Sequence, residues 1–214
     1  VDINDKPLND ALVKIREGRK IRNNEILSKL TKHGCFITMK EVMEFAGDKD
    51  LIARPHFAAA LIKKGYASSK NDAFQRYLGR TGIAYVDRFR LSPAEAINLI
   101  HSAGGVVSLA HPYQIGYSTY ELHNFIDELV NLGLDGIETY YSHHSFDMLN
   151  DYKALCYKHN IIPTGGSDFH GENSTNIKLG IGTGSLNVPD STFDSILDRI
   201  TLRKKYKSYL SENY

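Results

Sequence analysis

An aspartate and a histidine stand two positions apart in the glycine- and serine-rich stretch GGSDFHG, residues 165–171. Carboxylate and imidazole groups are suitable ligands for manganese, iron or zinc. Asp168 and His170 therefore form a candidate metal-binding pair, but one Asp-X-His is a weak signal. Asp168 could equally cap a turn with Ser167, as aspartates often do in loops. The question is which other residues converge on the same point.

Two further polar residues are associated with apolar stretches that predict strands. His111 follows the predicted strand 106–110, Glu138 lies in the predicted strand 136–141, and Asp168 follows the predicted strand 161–165. Helices are predicted between these strands, so the sheet should be parallel. We therefore expect the three residues to meet at the C-terminal edge of the sheet, where α/β folds gather their active sites.

The pattern of secondary-structure signals changes near residue 85. Residues 1–85 show helical patterns only, including a long helix over 7–32 and a helix that begins near Pro55 and ends at Gly65. From residue 86 onward helices and strands alternate, and the last helix is predicted over 191–202. The sequence thus predicts a small all-α domain over 1–85 and an α/β domain over 86–214.

Composition excludes several classes of protein. The net charge is +1, with 42% hydrophobic and 24% charged residues. This predicts a globular chain and gives no electrostatic argument for binding duplex DNA or a membrane surface. Cys35 and Cys156 lack Cys-X-X-Cys spacing, which favours reduced, partly buried thiols and a cytoplasmic location. No apolar run of membrane-spanning length and no secretory leader is present in the sequence.

Five motifs in order resemble the PHP (polymerase and histidinol phosphatase) superfamily, in particular its branch of phosphoesterases that act on nucleotides or RNA ends. The resemblance extends from Ile52 to Gly171. The matching strings are ARPHFA at 53–58, GIAYV at 82–86, LSPAEAINLIHSAGGVVSLAHP at 91–112, DGIETYYSHHS at 135–145 and GGSDFHG at 165–171.

The resemblance implies a fold and a metal site. The fold would be the C-terminal half of a distorted (β/α)7 barrel, with residues 1–85 forming most of a helical insertion. The metal ligands that match the family are His111, Asp168 and His170, and a complete family site holds up to three ions of manganese, iron or zinc. Such ions activate water for attack on a phosphate ester.

The family pattern is matched only in part. Its opening His-X-His motif does not occur in these 214 residues, and further acidic and histidine ligands would precede Val1. We therefore expect the chain to be a fragment that lacks most of the ligand set. Metal binding and hydrolysis by the chain alone should then be impaired.

Four other residues are candidates for supporting roles. Arg54 and His56 flank Pro55 at a predicted helix N-terminus, where an anion such as phosphate is favoured, although a solvated helix end would look the same. His144 matches a family histidine and is a candidate substrate contact. Glu138 either supports the metal ligands or is simply a strand-end carboxylate. The remaining histidines on helices, His33, His101, His123 and His159, are predicted to be surface residues.

The sequence leaves two classes of function open. The first is a metal-dependent hydrolase of phosphate esters, either a nucleotide phosphatase or a 5′-3′ exoribonuclease; a histidinol-phosphate phosphatase is a weaker alternative of the same class. The second is a non-catalytic fragment or binding module that retains the fold. Expected partners are a phosphorylated small molecule, a nucleotide or an RNA end. A second copy of the chain is also a candidate partner, since it would cover strand edges.

Overall fold

The computed structural model of the chain describes residues 1–47, 52–171 and 176–213. These residues form two compact units, one of residues 9–90 and one of residues 1–8 with 91–214. The second unit contains a small parallel sheet and helices, so the predicted α/β class is confirmed. That the first unit is an insertion in a barrel stays a prediction.

The helices of the first unit begin and end close to the positions that the sequence predicts. Its elements are α1 (Lys6–Lys32, which begins in the other unit), α2 (Met39–Met43), α3 (Arg54–Lys63) and α4 (Lys70–Ala73), which continues as a π-helical turn over Phe74–Leu78. The side chains of Thr38 and Ser69 cap α2 and α4 by accepting backbone N–H bonds.

A separate apolar core holds the helical unit together. Ile26 and Leu30 of α1 and Phe57 and Leu61 of α3 are all fully buried in it. Ile62, which follows Leu61 in α3, is 36% exposed and lies outside the buried part of this core. Burial of each large side chain in such a core contributes about 1.5–3 kcal/mol.

The α/β unit alternates helices and strands as predicted. Its elements are α5 (Pro93–Ser102), β1 (Ser108–Leu109), a 3₁₀ turn (Pro112–Ile115), α6 (Thr119–Asn131), β2 (Gly136–Tyr141), α7 (Phe146–His159), β3 (Ile162–Gly166) and α8 (Asp190–Asn213). A capping box begins α5, because the Ser92 Oγ accepts from the Glu95 N–H and the Glu95 carboxylate accepts from the Ser92 N–H.

The sheet is parallel and has the order β1-β2-β3. Gly136 pairs with both Ser108 and Ile162, so the three strands start at one edge; β1 ends opposite Ile137, and β3 continues beside β2 as far as Tyr141. The apolar faces of α6 and α7 pack with the sheet through a core that includes Ile126, Ile137 and Leu155. This register places the residues that follow β1 and β3 beside the end of β2.

Two glycines let β3 approach β2 closely near that end. A Cβ on Gly165 would lie 2.6 Å from the Cβ of Tyr140 and 2.7 Å from its carbonyl oxygen, too close for any other residue. The pairing of the two strands shifts register between Glu138 and Tyr140. Such a bulge redirects the side chains that follow it.

A buried carboxylate organises the opposite, N-terminal edge of the sheet. Asp135 is 2% exposed and accepts hydrogen bonds from the Val107 N–H at 2.9 Å, the His101 Nε2 at 2.8 Å and the Arg203 Nη2 at 2.6 Å. Arg199 of α8 adds a longer contact of 3.4 Å. These bonds attach α5 and α8 to the start of β2.

Three expectations need correction against this arrangement. The last helix extends to Asn213 and not to Leu202. His101 and His159 are not surface residues, because their side chains are 16% and 15% exposed and contact Asp135 and Asp127. Cys35 and Cys156 are free and buried, as expected for reduced thiols.

Candidate functional site

Glu138 connects the ends of the outer strands. Its Oε2 accepts the backbone N–H of His111 at 2.5 Å. Its Oε1 lies so near the end of β3 that a Cβ on Gly166 would be 3.2 Å from it. The expectation that His111, Glu138 and the loop after β3 share one edge of the sheet is therefore met.

The backbone is strained at two of the predicted metal ligands. His111 has φ 30° and Asp168 has φ 56°, both in the left-handed region that non-glycine residues seldom adopt. In the described part of the chain, Asn160 is the one other such residue, and it ends helix α7 in an ordinary way. Strain of this kind persists where surrounding contacts impose it, and it is concentrated at functional sites.

Tyr141 holds the carboxylate of Asp168. Its hydroxyl donates to the Asp168 Oδ2 at 3.2 Å, and its ring lies 6.5 Å from the His111 ring and 5.2 Å from the His144 ring. Burial, and then the negative charge of Asp168, raise the pKa of Tyr141 above its usual value. The phenol therefore stays protonated and acts as a donor.

Sequence reasoning missed Tyr141. Strict alternation along β2 puts Glu138 and Tyr141 on opposite faces, yet both contact residues of the C-terminal loops. The register shift between Glu138 and Tyr140 accounts for the difference. The available signal was the pair of glycines at 165–166, which implied close approach to β2 but gave no indication of the bulge.

One ring nitrogen of His144, Nε2, has a lone pair that accepts no hydrogen bond from the described residues. Its Nδ1 lies 3.0 Å from the carbonyl oxygen of Thr139. A carbonyl only accepts, so Nδ1 carries the proton and Nε2 is an acceptor in the neutral ring. Nε2 is buried and has no hydrogen-bond partner among the described residues. Burial, as the largest effect, lowers the pKa of His144 and favours this neutral form.

An orphaned acceptor restricts what His144 can bind. A neutral Nε2 accepts from a hydroxyl group or coordinates a cation, but it cannot donate to a phosphate oxygen. A backbone carbonyl that fixes the other ring nitrogen is the usual way in which proteins orient a histidine for such a role. If His144 contacts the substrate as predicted, the group it binds is therefore a hydroxyl of the ligand or a positive ion.

His170 lies on the exposed side of the loop. Its side chain is 70% exposed, and its Nδ1 is 2.7 Å from the carbonyl oxygen of Asp168. The same Nδ1 is 3.6 Å from the Asp168 Oδ1. The two predicted ligands of the loop are therefore adjacent in space.

The donor types suit a divalent metal ion, but the set is incomplete. Imidazole and carboxylate groups are present at His111, His144, Asp168 and Glu138. Across residues 1–47, 52–171 and 176–213, however, no three His, Cys, Asp or Glu side chains are grouped closely enough to hold an ion. The described residues therefore do not complete a metal site by themselves, and the predicted ligand set stays a prediction.

Arg54 and His56 lie in the helical unit at the start of α3. His56 accepts the backbone N–H of Ala53 at 3.1 Å through Nδ1, and thus helps to cap the helix. Arg54 donates to the Val86 carbonyl oxygen at 2.5 Å, and its guanidinium lies 4.6 Å from the centre of the Tyr85 ring. Both have structural contacts, and their predicted role in substrate binding stays a prediction.

Comparison with known proteins identifies the relatives of the chain. The 3′,5′-nucleoside bisphosphate phosphatase of Chromobacterium violaceum is 28% identical over 170 residues, which are 79% of this chain and 60% of the relative. The 5′-3′ exoribonuclease Rnm of Escherichia coli is 33% identical over 119 residues, 56% of this chain and 41% of the relative. The chain is thus similar in sequence to a phosphatase and to an exoribonuclease. No family model matches it.

A solved structure shows a similarity of the fold as well. A protein of Bifidobacterium adolescentis, provisionally described as a metal-dependent phosphoesterase, superposes with a TM-score of 0.71 at 27% sequence identity. The match covers 92% of this chain and 68% of that protein. The chain spans 60% of the length of the first curated relative and 41% of the second. In the part of the chain that the structure describes, no helix is long and apolar enough to cross a membrane.

Proposed function

We propose that the protein is a metal-dependent phosphoesterase that hydrolyses phosphate esters of nucleotides or of RNA ends. The observation that carries the proposal is the C-terminal edge of the sheet, where Glu138 accepts from the His111 N–H and Tyr141 donates to Asp168. His111 and Asp168 have strained backbone, and the buried Nε2 of His144 has no partner among the described residues. The names of the homologues, a nucleoside bisphosphate phosphatase and an exoribonuclease, support the reaction class.

The residues at this edge of the sheet would have different roles in the site, some as metal ligands and others as groups that position those ligands. His111, Asp168 and His170 are the proposed ligands of divalent ions, which we expect to be manganese, iron or zinc and up to three in number. When bound, such ions supply positive charge to the phosphate group and lower the pKa of water. Glu138 fixes the His111 backbone, and Tyr141 orients the Asp168 carboxylate by hydrogen bonding.

The substrate contacts and the surrounding fold are also part of the proposal. Arg54 and His56 are proposed to bind phosphate, and His144 to accept from a substrate hydroxyl. The α/β unit would be the C-terminal half of a distorted (β/α)7 barrel and the helical unit its insertion. A cytoplasmic location and a homo-oligomer are consistent with this function.

Release of inorganic phosphate or of nucleoside monophosphates tests the proposal directly. The 214-residue chain is incubated with Mn²⁺ and a 3′,5′-nucleoside bisphosphate, a 5′-phosphorylated RNA or histidinol phosphate, and the Chromobacterium violaceum enzyme serves as the reference. We expect turnover of one of the first two substrates, slower than that of the reference enzyme because the chain lacks part of the expected ligand set, with loss of turnover on chelation with EDTA and restoration by Mn²⁺. Turnover that is unaffected by EDTA, or that is confined to histidinol phosphate, would contradict the assignment.

One observation favours a second candidate function. The described histidines and carboxylates do not complete a three-ligand set, which is the arrangement expected of a module that binds its ligand without hydrolysing it. In that case the chain binds a nucleotide or RNA end but releases no phosphate with any divalent ion. Isothermal titration with a non-hydrolysable nucleotide, run beside the phosphate assay, separates the two functions.

A further inference from the structure

The helical unit contains a cavity with an unusual concentration of arginine. The cavity has a volume of about 460 Å³. Five arginines line it together with a single acidic side chain, Asp87; the arginines are Arg22, Arg54, Arg80, Arg88 and Arg90. The whole chain has 26 basic and 25 acidic residues, so this excess of positive charge is local.

The most buried of these arginines has no acidic partner. Arg22 is 5% exposed, and its guanidinium donates to the amide oxygen of Asn23 at 2.6 Å and to the Ile52 carbonyl oxygen at 3.4 Å. Both acceptors are neutral. Burial first, and then the positive charges of Arg54, Arg19 and Arg88, together lower the pKa of Arg22 to about 10. A buried cation among like charges is costly unless an anion compensates it.

Arg54 adds a second unsatisfied group to the same wall. One of its terminal nitrogens donates to the carbonyl oxygen of Val86, which is also a neutral acceptor. Its Nε is buried and has no partner among the described residues. A buried N–H without an acceptor costs about 1–3 kcal/mol, which is normally avoided by a protein or ligand acceptor.

Asp87 does not neutralise the cavity. Its side chain is 64% exposed, forms an ion pair with Arg90 and accepts the backbone N–H of Arg88 at 2.9 Å. Among the described residues, the side chains of Arg80 and Arg88 have no hydrogen-bond or ion-pair partner. One carboxylate, already paired, therefore faces five guanidinium groups.

We propose that this arginine cavity is a binding site for the phosphate group of a nucleotide or of an RNA strand. Arginine is suited to the task because its planar fork of N–H groups matches phosphate oxygens in bidentate fashion. A cavity of about 460 Å³ is in the range of small-ligand sites. The bound phosphate would supply the negative charge that the neutral acceptors of Arg22 and Arg54 do not provide.

This proposal extends the phosphate contact that the proposed function gives to Arg54, but its test is separate from hydrolysis, because binding at the cavity requires no metal ion. It can therefore hold when the proposed phosphoesterase activity fails, and it can fail when that activity is present. Exposed arginines are the best residues to replace, since loss of the buried Arg22 could unfold the unit. Arg80 and Arg88 are both exposed.

Binding of the full chain is measured in EDTA with two probes, a fluorescein-labelled single-stranded RNA of ten nucleotides and unlabelled inorganic phosphate. Anisotropy reports RNA binding, and the rise in Tm with added phosphate reports the free anion. The double variant Arg80→Gln/Arg88→Gln is compared with Arg76→Gln. Arg76 also carries one positive charge and is exposed, but it does not line the cavity.

We expect the double variant to bind RNA at least about tenfold more weakly than the wild type, because charge-assisted hydrogen bonds to phosphate are lost. The control should differ from the wild type by less than about twofold. A Tm increase with phosphate that disappears in the double variant assigns the site to the free anion as well. Equal affinity of wild type and double variant, or no response of the wild type to either probe, would overturn the proposal.

Discussion

The buried polar groups at the two ends of the parallel sheet differ in how completely they are hydrogen bonded. At the N-terminal end, the Asp135 carboxylate accepts from two helices, from Arg203 of α8 at 2.6 Å and from His101 of α5 at 2.8 Å, and from the Val107 N–H. At the C-terminal end, the buried Nε2 of His144 has no partner among the described residues, and two residues of the loops adopt left-handed backbone. The same three strands support both arrangements.

The difference separates stability from function. A buried carboxylate that is paired on several sides fixes the helices around it, and removal of such a group is strongly destabilising. An orphaned nitrogen and strained backbone lower stability unless a ligand uses them, which is a common feature of functional sites. Variants at the first end should therefore alter unfolding, and variants at the second should alter activity or ligand binding.

The largest effect is expected for Asp135→Asn. The Asp135 side chain is 3% exposed and contacts Arg203 and Arg199. The substitution replaces its negative charge with a neutral amide, so both arginines lose this buried anionic partner. The free energy of unfolding should fall by about 3–5 kcal/mol, as for other broken buried ion pairs. Urea denaturation followed by circular dichroism measures the loss.

An exposed ion pair provides the matched control. Asp127 contacts Lys158 at 3.2 Å, and its side chain is 41% exposed. Asp127→Asn should lower the free energy of unfolding by less than about 1 kcal/mol. Similar losses for Asp127→Asn and Asp135→Asn would show that the network at the N-terminal end has no special role in stability.

The next largest effect is expected for Asp168→Asn, measured as kcat/KM for phosphate release. The amide keeps the shape of the side chain but removes the negative charge that would hold a divalent ion. The loss should exceed the roughly 10–100-fold typical of a residue that only supports a ligand. Urea denaturation should show a stability close to that of the wild type. Full metal content together with an unchanged kcat would remove Asp168 from the proposed ligand set.

Local sequence signals predicted the elements that position the site. The bounds of β2, Gly136–Tyr141, follow from an apolar run bounded by glycine and a turn, and the helices around it begin at capping residues. The meeting of His111 with Glu138 follows from parallel pairing alone. These features depend on short-range chemistry and on one rule of topology.

Other features depend on contacts that no local pattern contains. Arg203 and Asp135 are 68 positions apart, so the extension of α8 beyond Leu202 and the buried environment of His101 were not predictable from helical periodicity. The bulge in β2 brought Tyr141 to Asp168 against the expected alternation. The orphaned nitrogen of His144 depends on a ring orientation that is set by one carbonyl, that of Thr139.

A smaller effect is expected for Glu138→Gln. The amide oxygen can still accept the His111 N–H, so the local fold should persist, but the negative charge beside the predicted ligands is lost. We expect kcat/KM to fall by about 10–100-fold, with a change in unfolding free energy below about 1 kcal/mol. Glu128→Gln, on the exposed side of α6, is the control for loss of one carboxylate. If both variants lose activity equally, Glu138 has no specific role.

The smallest effect is expected for His144→Asn, measured as the pH dependence of stability. Burial lowers the pKa of His144 in the folded state below the 6.5 of an ordinary histidine. As the pH falls through about 6.5, the unfolded chain therefore takes up a proton before the folded chain does, and stability decreases until the lowered pKa is passed.

An asparagine amide can donate to the Thr139 carbonyl oxygen, as Nδ1 does, but it does not titrate. The decrease in Tm between about pH 7.5 and about pH 5 should then be smaller in the variant than in the wild type, since one buried imidazole has been removed. An identical decrease in both proteins would mean that His144 takes up its proton equally readily in the folded and unfolded chain, and that its Nε2 is not the isolated acceptor on which the contrast between the two ends of the sheet depends.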